Sequence, residues 1–264
     1  MCFEILTMIA MQKRKVIKGD ISIGTFGEFV NSLIDLSKNN GSSYVCVCNV
    51  HMLIEANDSN DFSKVVNEAD IVTPDGKPVA KAVEWLYGIE QPRVAGMDLI
   101  ESLFMEISIK GLKVFLYGST NDVLEKMANK ACKQFPGLNV VGTLSPPFRQ
   151  LSVDEDRHEI DIINRHNPDF VFVALGCPKQ ERWMAEHKDK VDSCMIGLGG
   201  AFPVYAGMVE RSPEWMQKYG LEWFYRLYQD PKRLWKRYFY TNTRFIILLA
   251  IQLFSKHLFF GNKK

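Results

Sequence analysis

From about residue 15 to residue 205, short apolar runs alternate with longer stretches of helical period. Residues 45–48, 69–72, 113–117, 138–141, 170–175 and 194–198 read as strands. Most of these runs are apolar at successive rather than alternate positions, as strands covered on both faces of a parallel sheet should be. Between and before them, the segments 25–38, 51–68, 78–87, 97–109, 120–134, 153–166 and 178–188 have the length and period of helices. This alternation predicts an α/β fold, a Rossmann-like and mostly parallel sheet flanked by helices. Gly118 stops the third strand, and Ser119 or Thr120 stands where a helix cap belongs.

The pattern changes near residue 212. Ser212-Pro213 and Asp230-Pro231 each start a helix, the second with Asp as cap and Pro in the first helical position. No strand signal follows. Residues 222–264 hold nine Lys/Arg, two acidic residues and twelve aromatics. The organisation expected is an α/β core over 15–212, a helical basic and aromatic appendage over 213–264, and a disordered extension over 1–14. The first eleven residues are apolar, but Lys13, Arg14 and Lys15 follow them. A signal peptide has the opposite order, so a cytoplasmic protein is expected. No uncharged apolar run reaches the roughly 18–20 residues of a membrane span.

Composition narrows the function classes. Of 264 residues, 32 are basic and 31 acidic, a net charge of +1. That balance argues against a nucleic-acid partner, which needs a basic excess. The six cysteines are scattered without a C-x-x-C pair, which disfavours disulfide scaffolds and zinc ribbons. Cys46 and Cys48 alternate on one side of a strand and read as core. The five histidines show no metal-ligand spacing, so neither a metal nor a cofactor is expected.

In open α/β sheets, ligands bind beyond the carboxyl ends of the strands. The loops there read Asn49-Val50-His51, Thr73-Pro74-Asp75-Gly76, Gly176-Cys177-Pro178-Lys179-Gln180-Glu181 and Gly199-Gly200-Ala201-Phe202. Asp75 is a candidate general base, although Pro-Asp-Gly is also an ordinary turn. Lys179 and Gln180 open a helix. Gly197-Leu198-Gly199-Gly200 could cradle a phosphate with backbone N–H groups. Phe202 stands where the third glycine of a dinucleotide fingerprint belongs, which weighs against a nucleotide-dependent oxidoreductase. Asp154-Glu155-Asp156 has the form of a metal-holding D-x-D motif. Ser152 three residues before Glu155 makes it read as a capping box instead.

In the appendage, Arg233, Arg237 and Arg244 share a helical face. Trp235, Tyr238, Phe239, Tyr240 and Phe245 surround them, and residues 245–251 are apolar all round. Such a helix suits an anionic membrane surface. It equally suits packing on the core or in a homo-oligomeric interface.

The ordered set of segments resembles the WecG/TagA/CpsF glycosyltransferases, also called glycosyltransferase family 26. Besides the loops above, it includes Arg93-Val94-Ala95-Gly96-Met97-Asp98, Arg211-Ser212-Pro213-Glu214-Trp215, Gly220-Leu221-Glu222-Trp223 and Arg226…Pro231…Arg233…Arg237-Tyr238. The resemblance spans about residues 15–245. It implies inverting, metal-independent transfer of a sugar of the N-acetylmannosamine type from a UDP-sugar to undecaprenyl-pyrophosphate-linked N-acetylglucosamine. The place it implies is the cytoplasmic face of the bacterial membrane, in cell-surface polysaccharide or teichoic acid synthesis. On this resemblance Asp75 is the catalytic base. Asn49, Thr73, Arg93, Gln180, Gly199, Gly200, Arg226, Arg233 and Arg237 are the substrate-binding set. Two positions depart from the family pattern and bear on donor contacts: Val47 replaces a Thr and Pro203 an Asp. The rival readings are an oxidoreductase and a non-catalytic membrane-binding module. Convergence of Asn49, Asp75 and Gln180 on one site would speak against the second.

Overall fold

The computed structural model describes residues 11–38 and 41–260. Two short strands, β1 (Lys13–Val16) and β2 (Gly19–Ser22), form an antiparallel hairpin, and α1 (Phe26–Lys38) follows. The central sheet is built from β3 (Ser43–Cys48), β4 (Ile71–Pro74), β5 (Lys113–Gly118), β6 (Asn139–Leu144), β7 (Phe170–Ala174) and β8 (Cys194–Gly197). Their order is β4-β3-β8-β7-β5-β6, and every pairing is parallel. The helices between them are α2 (Val50–Asp58), α3 (Asn60–Asn67), α4 (Lys77–Tyr87), α5 (Gly96–Lys110), α6 (Asn121–Gln134), α7 (Val153–Arg165) and α8 (Lys179–His187). After β8 come a 3-10 turn at Gly199–Ala201, α9 (Phe202–Tyr205), α10 (Glu214–Tyr219), α11 (Glu222–Gln229) and the long α12 (Pro231–Phe260).

The alternation of strand side chains sorts the core into two layers. Val45 and Val47 of β3 face one layer with Phe29, Leu103, Phe104 and Phe202. Tyr44, Cys46 and Cys48 face the other with Leu53, Val83, Phe245 and Leu249. The sequence pattern places all six sheet strands. The helix expected over 51–68 is instead two, because Ser59 ends α2 and its side chain accepts the Phe62 N–H to cap α3. Thr120, not Ser119, caps α6.

Residues 1–10 of the expected disordered extension lie outside the described residues. Lys13 and Arg14 belong to β1, where the Lys13 Nζ donates to the Ala69 carbonyl at 2.6 Å. The hairpin shields the β4 edge, with the Val72 N–H donating to Ser22 Oγ at 3.0 Å. Parallel strands with charged flanks are short and give a weak signal, and a four-residue hairpin strand gives a weaker one. Phe245, expected to meet the membrane, is buried in the core. So is Leu249. Helix α12 rests on α2 and α4, and Gln252 holds β1 by accepting the Ile17 N–H at 2.8 Å and donating to the Lys15 carbonyl at 3.0 Å.

Candidate active site

The site is assembled at the carboxyl ends of β3, β4, β7 and β8, four adjacent strands. Asn49 follows β3 and is the N-cap of α2. Its side-chain oxygen accepts the Met52 N–H at 3.2 Å, satisfying one of the free donors of the first turn. Its amide lies near the Asp75 carboxyl and favours its ionised form. Asp75 follows β4 directly. Its backbone N–H donates to the Cys48 carbonyl at 2.9 Å, which ties the loop to the neighbouring strand. Gly76, at φ +86°, lets the chain turn at once into α4. Asp75 is therefore fixed by backbone geometry rather than by side-chain packing.

Burial pushes the Asp75 carboxyl up to about 6. Arg226, the Asn49 amide and Arg93 pull it down, and Glu222 opposes them. A carboxylate tuned to this range is ionised at neutral pH yet basic enough to take a proton in a transition state. Arg226, on α11, reaches back over the sheet end. A Cβ built on Gly200 would lie 3.5 Å from its Nη1. The guanidinium thus sits between Asp75 and the glycine turn, where it can meet an anion.

Gln180 does not point freely into this space. It is buried, its Oε1 accepts the Gly176 N–H at 3.2 Å, and its Nε2 donates to Glu181 Oε1 at 2.6 Å. A Cβ on Gly199, at φ +35°, would approach Gln180 Oε1 to 2.8 Å, so the 3-10 turn is laid directly on the amide. Gln180 braces the loops after β7 and β8. The residue behind it, Glu181, was not singled out from the sequence. It is completely buried, burial raises its carboxyl to about 6, and its Oε2 has no hydrogen-bond partner among the described residues. Its acidic character in a helix's first turn reads from sequence as a solvated cap, and only the fold shows it inside.

Thr73 is buried in β4, with its hydroxyl donating to the Val94 carbonyl at 3.4 Å. Arg93 is committed to the tail: it pairs with Glu222 of α11, and its Nη2 donates to Asp98 at 3.1 Å and Gln217 at 3.0 Å. It acts as a strut between core and appendage. Arg237 lies beside His51. Burial and the Arg237 charge push the imidazole down to about 4, so it stays neutral. Arg237 Nε and His51 Nδ1 are buried without hydrogen-bond partners among the described residues. Arg233 is exposed and paired with Asp230 at 2.5 Å. Arg244 leaves the site altogether, pairing with Asp58 at 2.8 Å.

The structure thus joins Asn49, Asp75, Arg226 and Gly200, puts Gln180 and Gly199 beneath them, places Arg237 by the neighbouring loop, and sets Arg233 in solvent. The D-x-D segment is a capping box: Ser152 and Glu155 exchange hydrogen bonds, and Asp156 meets His187 at 3.0 Å. No group of three potential ligands gathers to hold a metal among the described residues.

Asp75 and Arg226 thus stand at the carboxyl edge of a helix-flanked parallel sheet, where open α/β sheets bind their ligands. The family model for the glycosyl transferase WecG/TagA/CpsF family matches residues 14–258. A relative from Bacillus spizizenii is 31% identical over 230 residues, covering 86% of this chain and 87% of the relative. One from Bacillus subtilis is 33% identical over 194 residues, 73% of each. One from Staphylococcus aureus is 28% identical over 200 residues, 75% of this chain and 76% of the relative. All three are described as N-acetylglucosaminyldiphosphoundecaprenol N-acetyl-beta-D-mannosaminyltransferase. The chain belongs to the WecG/TagA/CpsF glycosyltransferase family, and it is a glycosyltransferase.

Proposed function

We propose that the protein moves N-acetylmannosamine, or a sugar of that type, from its UDP derivative to undecaprenyl-diphosphate-linked N-acetylglucosamine, with inversion. The observation that carries this reading is a buried carboxyl at a strand end, Asp75, raised to about 6, with the Arg226 charge acting on it from beside the Gly200 turn. Asp75 takes the proton of the acceptor hydroxyl. The hydroxyl oxygen attacks the anomeric carbon, the bond to UDP breaks on the opposite side, and its electron pair leaves with the UDP phosphate. Arg226 and Arg237 answer that growing negative charge. The names of the relatives support the donor sugar and the acceptor.

No cofactor enters this scheme, and donor binding is metal-independent on this reading. The acidic segment of D-x-D form is engaged in its cap and in the His187 pair. We place the protein at the inner membrane face, as a peripheral enzyme. No helix among the described residues is long and apolar enough to cross a membrane. Trp223, Phe224, Trp235, Phe239, Ile247 and Phe254 of the tail are exposed and supply an interfacial surface.

The test is mass spectrometry of products from a panel of UDP-sugars with a synthetic prenyl-diphospho-N-acetylglucosamine, run with and without EDTA. Transfer from the N-acetylmannosamine donor, unaffected by EDTA, is expected. Transfer from none of the panel defeats the reading. Activity abolished by EDTA and restored by Mg²⁺ or Mn²⁺ defeats its metal-independent part.

A further inference from the structure

Behind the Gly199-Gly200 turn lies a carboxyl group that the proposed reaction does not use. Glu181, in the first turn of α8, is completely buried, and its charge acts on the Cys48 thiol at the end of β3. The groups that favour its ionised form are the Gln180 amide, its own backbone and the Cys177 thiol, and none of these is a cation. Burial pushes the Cys48 and Cys177 thiols up, so both stay neutral beside it. A buried carboxyl without a cation destabilises a fold, and an apolar side chain of similar size would pack there more favourably. Packing alone does not account for an acid at this place.

The neighbouring side chain does. An amide has an acceptor end and a donor end, whereas an ionised carboxylate only accepts. Gln180 Oε1 accepts the Gly176 N–H at 3.2 Å, and Gln180 Nε2 donates to Glu181 Oε1 at 2.6 Å. Turned over, the amide would set its NH₂ against the Gly176 N–H and its oxygen against the carboxylate, two repulsive contacts in place of two hydrogen bonds. The glycine turn is laid on this amide. A Cβ on Gly197 would lie 3.0 Å from Nε2, and one on Gly199 would lie 2.8 Å from Oε1. At the next residue, a Cβ on Gly200 would lie 3.5 Å from Arg226 Nη1.

We propose that Glu181 is a positioning residue for the transferase: its carboxylate holds the Gln180 amide in one orientation, and that amide sets the glycine turn where Arg226 and the UDP phosphates meet. The inference rests on the transferase reading and adds a residue that touches no substrate. A glutamine in place of Glu181 could offer Gln180 either end of its own amide, so the lock would be lost although the volume is kept.

The experiment is a double-mutant cycle in the full chain with Glu181→Gln, Gln180→Glu and the exchanged pair Gln180→Glu/Glu181→Gln. UDP affinity is read by calorimetry, kcat/KM by transfer from the UDP-sugar that the wild type uses, and folding by melting curves. Gln180→Glu sets two carboxylates against each other and should weaken UDP binding about thirtyfold. Glu181→Gln should weaken it about three- to tenfold. In the exchanged pair, the carboxylate at position 180 accepts both the Gly176 N–H and an N–H of the amide at position 181. Affinity should then return to within about threefold of the wild type, and kcat/KM should follow the same order. All these side chains are alike in volume, so a role in packing alone predicts losses that track the melting temperature and no rescue on exchange.

An exchanged pair no better than Gln180→Glu overturns the proposal, because the Gln180 amide is then needed by the ligand itself. Wild-type UDP affinity in Glu181→Gln also overturns it. Should Gln180→Glu not fold, Glu181→Gln and the exchanged pair decide between the same outcomes. Transfer by the wild type without rescue in the exchanged pair removes this inference and leaves the transferase reading standing. A wild type that transfers nothing, yet binds UDP and follows the cycle, defeats the transferase reading and leaves the positioning of the turn intact.

Discussion

Two walls face each other across Asp75, and they hold their polar groups by different means. On the sheet wall, Asn49, Asp75, Gln180 and Gly199 sit on or beside strand ends and are tied by backbone hydrogen bonds and buried amide contacts. On the tail wall, Arg226 and Arg233 are exposed, and their helices carry few buried side chains near the site. The tail is positioned from a distance. Arg93 grips Glu222, and Phe245 and Leu249 fasten the far half of α12 to the core. Asp75 is thus fixed by the sheet, whereas the arginines depend on how the tail is docked. In the proposed reaction, that division lets the tail bring charge to a carboxylate held by a rigid sheet.

Removing the base tests the sheet wall most severely. Asp75→Asn is expected to keep the fold and lower turnover about 10²–10⁴-fold in a transfer assay. Wild-type kcat/KM should fall as pH drops through about 6, where Asp75 becomes protonated. The same shift has a stability consequence. The folded carboxyl titrates near 6, above its ordinary 3.8, so its ionised form costs stability above pH 6 and nothing below about 4. Asp75→Asn should therefore melt higher than wild type at pH 8 and equally near pH 4.

The fastening of the tail comes next. Phe245→Ala removes a buried ring and should cost about 3 kcal/mol in denaturant unfolding. Phe254→Ala, nine residues on and 73% exposed, should stay within about 0.5 kcal/mol. Equal effects would mean that the buried and exposed sides of α12 are held alike.

Arg226→Ala links the walls. Loss of a charge-assisted contact worth about 1.5–3 kcal/mol should reduce kcat/KM roughly ten- to a hundredfold. It should also move the acid limb of the pH profile upward, because Arg226 holds the Asp75 carboxyl down. An unmoved limb would separate Arg226 from the base. The smallest effect is expected for Arg233→Ala: exposed and paired only with Asp230, it should change kcat/KM less than about threefold, in keeping with surface pairs worth 0–1 kcal/mol.

Much of the site was legible before the fold was known. Loops after buried strands announce where ligands bind, and Asn49, Asp75 and the Gly199-Gly200 turn all stand there. The functions of particular side chains were less legible. Gln180 and Arg93 both carry the chemistry of a ligand contact, yet one braces two loops and the other anchors the tail. Glu181 escaped notice because a charged residue in a helix's first turn is usually solvated. Here the sheet end covers it.

Local sequence determined the elements and their caps. Apolar runs, Pro at a first helical turn and the Ser152…Glu155 pair act within a few residues, and the chain obeys them. It also determined that the last 43 residues differ in charge and aromatic content from the rest. Tertiary structure alone decided which side of α12 is core and which is open, because residues 245–251 are apolar on every face and no periodicity separates Phe245 from Ile247. It alone decided which arginines meet Asp75. Helical spacing puts Arg233, Arg237 and Arg244 on one face, but α12 is longer than the site, so only contacts across the fold determine which of them stand beside it and which are spent on Asp230 and Asp58.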